Sequence, residues 1–96
     1  MIIKPFDYEG YENVTLVSDN YIDNVMPRCK GNTWKIVLTV FRLNNSIITI
    51  EEFQKLTGIK GTSTVIEALQ EAVDMEYILR KQKGTSFEYS INQGLV

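Results

Sequence analysis

An apolar-striped helix, a capped helix pair and a basic β-hairpin predict an α+β fold for this 96-residue chain, mostly helical with a two-stranded ribbon near its end. Three observations carry that prediction. Trp34, Val37, Leu38 and Phe41 recur at i, i+3, i+4 and i+7, with Ile36 and Val40 widening the apolar face. Thr49-Ile50-Glu51-Glu52 is a capping box that opens a short helix, Gly58 closes it, and Gly61-Thr62-Ser63-Thr64 opens the next. Tyr77-Ile78-Leu79-Arg80 and Phe87-Glu88-Tyr89-Ser90-Ile91 alternate as strands around Lys83-Gly84. Helix, tight turn, helix and basic ribbon together give the layout of a winged helix-turn-helix.

The elements follow in order. Residues 1–13 lack clean periodicity and contain Pro5 and Gly10, so they read as an extended arm presenting Phe6, Tyr8 and Tyr11. The domain proper is expected over residues 14–92, with 93–96 as a tail. Val14 to Val17 is β-branched enough for a short strand. Ser18 is a good N-cap for a helix from Asp19 to about Met26, with Ile22, Val25 and Met26 facing inward. Pro27 and Gly31 end it. The next helix runs from Asn32 or Thr33 to about Leu43 and is the expected core centre, with Trp34, Val37, Leu38 and Phe41 against Phe53, Leu56, Leu69 and Phe87. Asn44-Asn45-Ser46 breaks it before a strand-like Ile47-Ile48. Val65, Leu69, Ala72 and Val73 define the buried face of the last helix, and Phe87, Tyr89 and Ile91 share one strand face at period two.

Composition narrows the function classes. A 44% hydrophobic content suits one globular domain, and no apolar run reaches the roughly 20 residues of a membrane span. The single cysteine, Cys29, forms no internal disulfide and fits a reducing cytoplasm. With no histidine, no carboxylates grouped around a nucleophile and no phosphate-cradling glycine loop, a catalytic role is not expected, nor a metal or other cofactor.

The net charge of −2 is laid out in blocks. Lys4 against Asp7, Glu9, Glu12, Asp19 and Asp23 gives −4; Arg28, Lys30, Lys35 and Arg42 give +4. The two capped helices return to net acidity, and the hairpin adds Arg80, Lys81 and Lys83. Thr62, Ser63, Glu67 and Gln70 lie opposite Val65 and Leu69 and therefore face outward. Such side chains can read base edges, while Arg80, Lys81 and Lys83 can grip phosphates from the hairpin. These seven are the candidate DNA-binding residues. The same helix carries Glu67, Glu71 and Asp74 but no Lys or Arg, which suits a protein partner as well as a duplex.

A family resemblance rests on particular residues. The run Tyr21-Ile22-Asp23-Asn24-Val25-Met26-Pro27, then Trp34 to Leu38, Phe53 to Ile59, Thr64-Val65 and Tyr77 to Arg80 resembles the N-terminal winged-helix domain of bacteriophage replication protein O. More loosely it is similar to DnaD-type primosomal initiators. Leu56-Thr57-Gly58-Ile59 and the Ile-Asp-x-x-Met-Pro stretch are its most particular pieces. The resemblance implies origin recognition on double-stranded DNA and recruitment of a replication protein partner, in a phage, plasmid or integrated element. Two alternatives stand beside it: a protein-interaction module on the same scaffold, and a small transcriptional regulator. The aromatic arm is expected either to pack across a homodimer, the preferred reading because it would double the phosphate contacts on a repeated site, or to fold back on its own domain.

Overall fold

Residues 13–96 are described by the computed structural model of the chain. Among them the architecture is α+β, with three regular helices, α1 (Gly31–Arg42), α2 (Ile50–Thr57) and α3 (Thr62–Asp74). An antiparallel sheet is built from β1 (Ser46–Ile47), β2 (Ile78–Lys83) and β3 (Ser86–Ile91), in the order β1-β3-β2. The pairing sets Ser46 opposite Tyr89, Arg80 also opposite Tyr89, and Ile78 opposite Ile91. No helix among the described residues is long and apolar enough to cross a membrane.

The chain enters through an irregular helical segment. Tyr21–Val25 is wound as a π-helix and Met26–Arg28 as a 3₁₀ turn containing Pro27. The Met26 N–H reaches back five residues to the Tyr21 carbonyl, and Pro27, with no N–H to donate, ends the regular ladder beyond it. This winding corrects the expected inward face. Tyr21 and Val25 are buried, whereas Ile22 and Met26 are exposed. Ser18 acts as expected at the start, its hydroxyl accepting from the Tyr21 N–H at 3.4 Å. Val14 to Val17 forms no strand and has no strand partner among the described residues; β-branching alone does not make one. Phe6, Tyr8 and Tyr11, and the dimer contact suggested for them, lie outside the described residues.

Helix α1 has the expected period with the stripe shifted by one position. Thr33, Ile36, Val37 and Val40 are its buried residues, while Trp34 and Phe41 pack half-buried at the edge of the core and Leu38 is exposed. Successive residues step about 100° around a helix, so a stripe centred on the largest side chains misses its true centre when a small residue occupies it. Thr33 is that residue, and its hydroxyl donates to the Glu71 carboxylate at 3.2 Å. The helix begins at Gly31, which was expected to close the segment before it.

Helix α2 forms as its capping box requires: the Thr49 hydroxyl accepts from the Glu52 N–H and the Glu52 carboxylate accepts from the Thr49 N–H. Gly58 ends it in the left-handed region at φ 72°, and Gly61, at φ 91°, reverses the chain into α3. Phe53 is fully buried and meets Tyr89 edge-on, with ring centroids 5.1 Å apart. Leu56 and Phe87, expected in the core, are instead exposed, because each lies at the border of its element's inward face. Tyr89 and Ile91 hold that face of β3. The expected tail folds back: Gln93–Leu95 is a 3₁₀ turn, and the Leu95 carbonyl accepts from the Asn20 side-chain amide at 2.7 Å.

Helix α3 ends in a Schellman motif, with the Tyr77 N–H on the Ala72 carbonyl and the Glu76 N–H on the Val73 carbonyl. The residue that must be left-handed there is Glu76, at φ 59°, where a glycine is usual. Glu76→Gly should therefore raise stability by about 1 kcal/mol, read as a higher thermal midpoint. A lowered midpoint would show that the Glu76 side chain contributes more than its backbone strain costs.

Candidate nucleic-acid interface

Helix α3 is held by a buried stripe of Val65, Ala68, Leu69 and Ala72, and this leaves its other face to solvent. Thr62, Ser63, Glu67 and Gln70 are all exposed on that face, as their spacing requires. No side chain caps the helix start. Its first N–H groups, with the Thr62 and Ser63 hydroxyls beside them, form a donor-rich end of positive dipole.

The basic candidates divide into two sets. Strand alternation sets Arg80 on the face of β2 that carries buried Ile78, and Lys81 and Lys83 on the opposite face. Arg80 turns toward α3. Its guanidinium donates to Gln70 Oε1 at 3.4 Å and lies 5.0 Å from the centre of the Phe87 ring. Gln70 in turn donates to the Asp74 carboxylate at 2.8 Å, so Arg80, Gln70 and Asp74 form a chain along the flank of the helix. The expectation of one cationic hairpin tip is corrected accordingly: Lys81 and Lys83 face solvent from the outer side of the ribbon, and Arg80 bridges helix and ribbon. Lys81 lies opposite Glu88 in the register, and Lys83 opposite Ser86.

Two grooves flank α3. On the hairpin side a cavity of about 310 Å³ is lined by Ile66, Leu69, Phe87 and Tyr89, with Gln70 and Arg80 among its polar residues. Burial pushes the Tyr89 phenol above its ordinary pKa, and the neighbouring Arg80 guanidinium partly offsets this. On the α1 side a wider groove of about 730 Å³ is lined by Lys30, Thr33, Glu67, Glu71 and Asp74, among others. Glu71 is engaged there by Thr33 and by Lys30, whose ammonium stands 3.8 Å away. That pair is largely exposed on the lysine side and so adds little stability. Glu67 has neither a hydrogen-bond partner nor an ion pair among the described residues.

Ile66 and Phe87 belong to this surface and were not among the sequence candidates. A signal existed for Ile66, an apolar residue one step outside the buried stripe of α3 and 48% exposed. Cys29 stands at the edge of the core, where burial first and the Glu71 carboxylate second push its thiol above the ordinary value. Such a thiol stays protonated near neutral pH and is a poor nucleophile. Among the described residues no group of three or more His, Cys, Asp or Glu side chains is arranged to hold a metal ion. In comparison with known proteins, the chain matches no family model and no curated sequence.

Proposed function

We propose that the chain is a non-catalytic winged-helix module that binds duplex DNA, acting in the cytoplasm in replication initiation of a phage, plasmid or integrated element. The observation that carries this reading is the solvent-exposed face of α3, which follows α2 across a tight turn, beside the mostly exposed strand β2 of a β1-β3-β2 sheet. In this reading α3 enters the major groove. Thr62, Ser63 and the free N–H groups of its first turn meet the phosphate backbone, and Gln70 and Ile66 face base edges, the isoleucine suited to a thymine methyl. Lys81 and Lys83 grip phosphate from the ribbon. Arg80 acts as a positioning residue for Gln70. The replication role is supported by the resemblance to phage replication initiators; a transcriptional regulator would use the same surface.

A second reading is favoured by one specific observation. The groove between α3 and the start of α1 is acidic, with Glu67, Glu71 and Asp74 on its lining, and carboxylates repel phosphate. In that reading α3 binds a basic segment of another protein. Duplex binding titrated against salt separates the two. Phosphate neutralisation by the ribbon and the helix start should give an affinity that falls steeply as salt rises. A chain that ignores duplex DNA at low salt, where attraction is least screened, would reject the DNA reading.

A further inference from the structure

We propose that the cleft between α1 and α2 docks an acidic segment of a partner protein, in which carboxylates flank apolar anchor residues. The cleft, about 250 Å³, is lined by Lys35, Leu38, Thr39, Arg42, Leu56 and Thr57. It shares no lining residue with either groove beside α3, so the proposal does not rest on the DNA reading.

Its chemistry follows from helix geometry. Lys35, Leu38, Thr39 and Arg42 stand at i, i+3, i+4 and i+7, on one face of α1 beside its buried stripe. The two cations are therefore roughly 10 Å apart along the helix axis, with Leu38 between them. Leu56 comes from α2. Both leucines are substantially exposed, at 37% and 45%. The two threonines contribute little polarity, because their hydroxyls donate to backbone carbonyls of their own helices. Thr39 bonds Lys35 O at 2.9 Å and Thr57 bonds Phe53 O at 2.6 Å. Among the described residues no carboxylate lines the cleft, and neither Lys35 nor Arg42 has an ion-pair partner.

An apolar floor framed by two cations is complementary to apolar anchors framed by carboxylates. A helical segment matches it with acids seven residues apart, and an extended one with acids about three apart. A nucleic-acid backbone would satisfy Lys35 and Arg42 but would leave the two leucines against water, so the leucines decide for a peptide.

The test uses the full chain and a fluorescent synthetic peptide in which Asp and Glu flank Leu and Phe. Saturable binding that weakens with salt is expected. Lys35→Glu with Arg42→Glu should reduce it on the order of tenfold or more, since charge pairs become repulsions. Leu56→Ser should weaken it as well, while Lys81→Glu with Lys83→Glu leaves it unchanged. Circular dichroism and urea midpoints establish that each variant is folded. Equal peptide binding by the Lys35/Arg42 variant would overturn the proposal. So would loss of duplex binding in that variant with peptide binding intact, which would assign the cleft to nucleic acid. Tighter peptide binding after charge reversal of Asp7, Glu9 and Glu12 would overturn the partner assignment in favour of the chain's own alternating aromatic and acidic run, Phe6 to Glu12.

Discussion

Truncating Tyr21 to alanine should destabilise the domain by about 3–5 kcal/mol, a large part of what a chain of this size possesses. Tyr21 is fully buried, and its ring meets Phe41 edge-on with centroids 4.8 Å apart. Its hydroxyl donates to the Tyr77 carbonyl at 2.6 Å, across 56 residues of sequence. The truncation therefore removes packing and also strands a buried acceptor. Tyr21→Phe isolates the second effect and should cost about 1–3 kcal/mol. Phe41→Ala, at the half-buried edge of the same pair, should cost less than Tyr21→Ala, nearer 1.5–3 kcal/mol. Urea midpoints read all three. Equal midpoints for wild type and Tyr21→Ala would reject the locked position of the entry segment.

Tyr21 also gives the fold an alkaline limit. Burial raises its phenol above the usual 10.0, with the nearby backbone hydrogen bond partly opposing. A folded pKa above the unfolded one means that the neutral form is favoured in the fold. Its stabilisation is complete below about pH 10 and is lost as pH rises through the folded value. Tyr21→Phe should show a shallower loss above that pH.

The helix pair and the ribbon were legible because each is written in local chemistry. Thr49 and Glu52 form the capping box they spell, and Gly58 and Gly61 adopt the positive φ that made glycine the informative residue there. Strand alternation placed Tyr89 and Ile91 correctly. The errors came where tertiary context decides between adjacent faces. Trp34 and Phe41 drew the stripe of α1 toward themselves, although the centre belongs to Thr33 and Val37, because hydrophobicity measures size and not which flank meets α3. Pro27 was legible as a stop, but the π winding before it was not, and that winding exchanged Ile22 and Met26 for Tyr21. The left-handed Glu76 was invisible, since only a formed α3–β2 junction demands it. At the candidate site, the exposed set on α3 followed from period alone. The separation of Arg80 from Lys81 and Lys83 followed from period two in β2, yet the run of three cations read as one patch. The partnership of Arg80 with Gln70 needed the packing of the ribbon on α3.

Replacing Lys81 and Lys83 together with alanine should flatten the salt dependence of duplex binding by about two units, at about 0.9 per phosphate contact, and should weaken all duplexes alike. The two lysines face solvent from the outer side of the ribbon and are free to lie along a backbone. Arg80→Ala should behave differently, although it too removes a cation of the ribbon. Its guanidinium already donates to Gln70 and lies over Phe87, so its loss leaves Gln70 held by Asp74 alone and should reduce discrimination between sequences more than the salt slope. Glu67→Lys provides the opposite sign. Glu67 has no partner to lose among the described residues, and exchanging it for a cation replaces a repulsion with an attraction beside the groove that α3 would enter. Non-specific affinity should rise and the slope should steepen by about one unit. If the acidic flank of α3 instead serves a basic protein segment, Glu67→Lys weakens that complex and the Lys81/Lys83 variant leaves it untouched. The two changes must therefore move duplex binding in opposite directions; any other pattern rejects the ribbon-and-helix assignment.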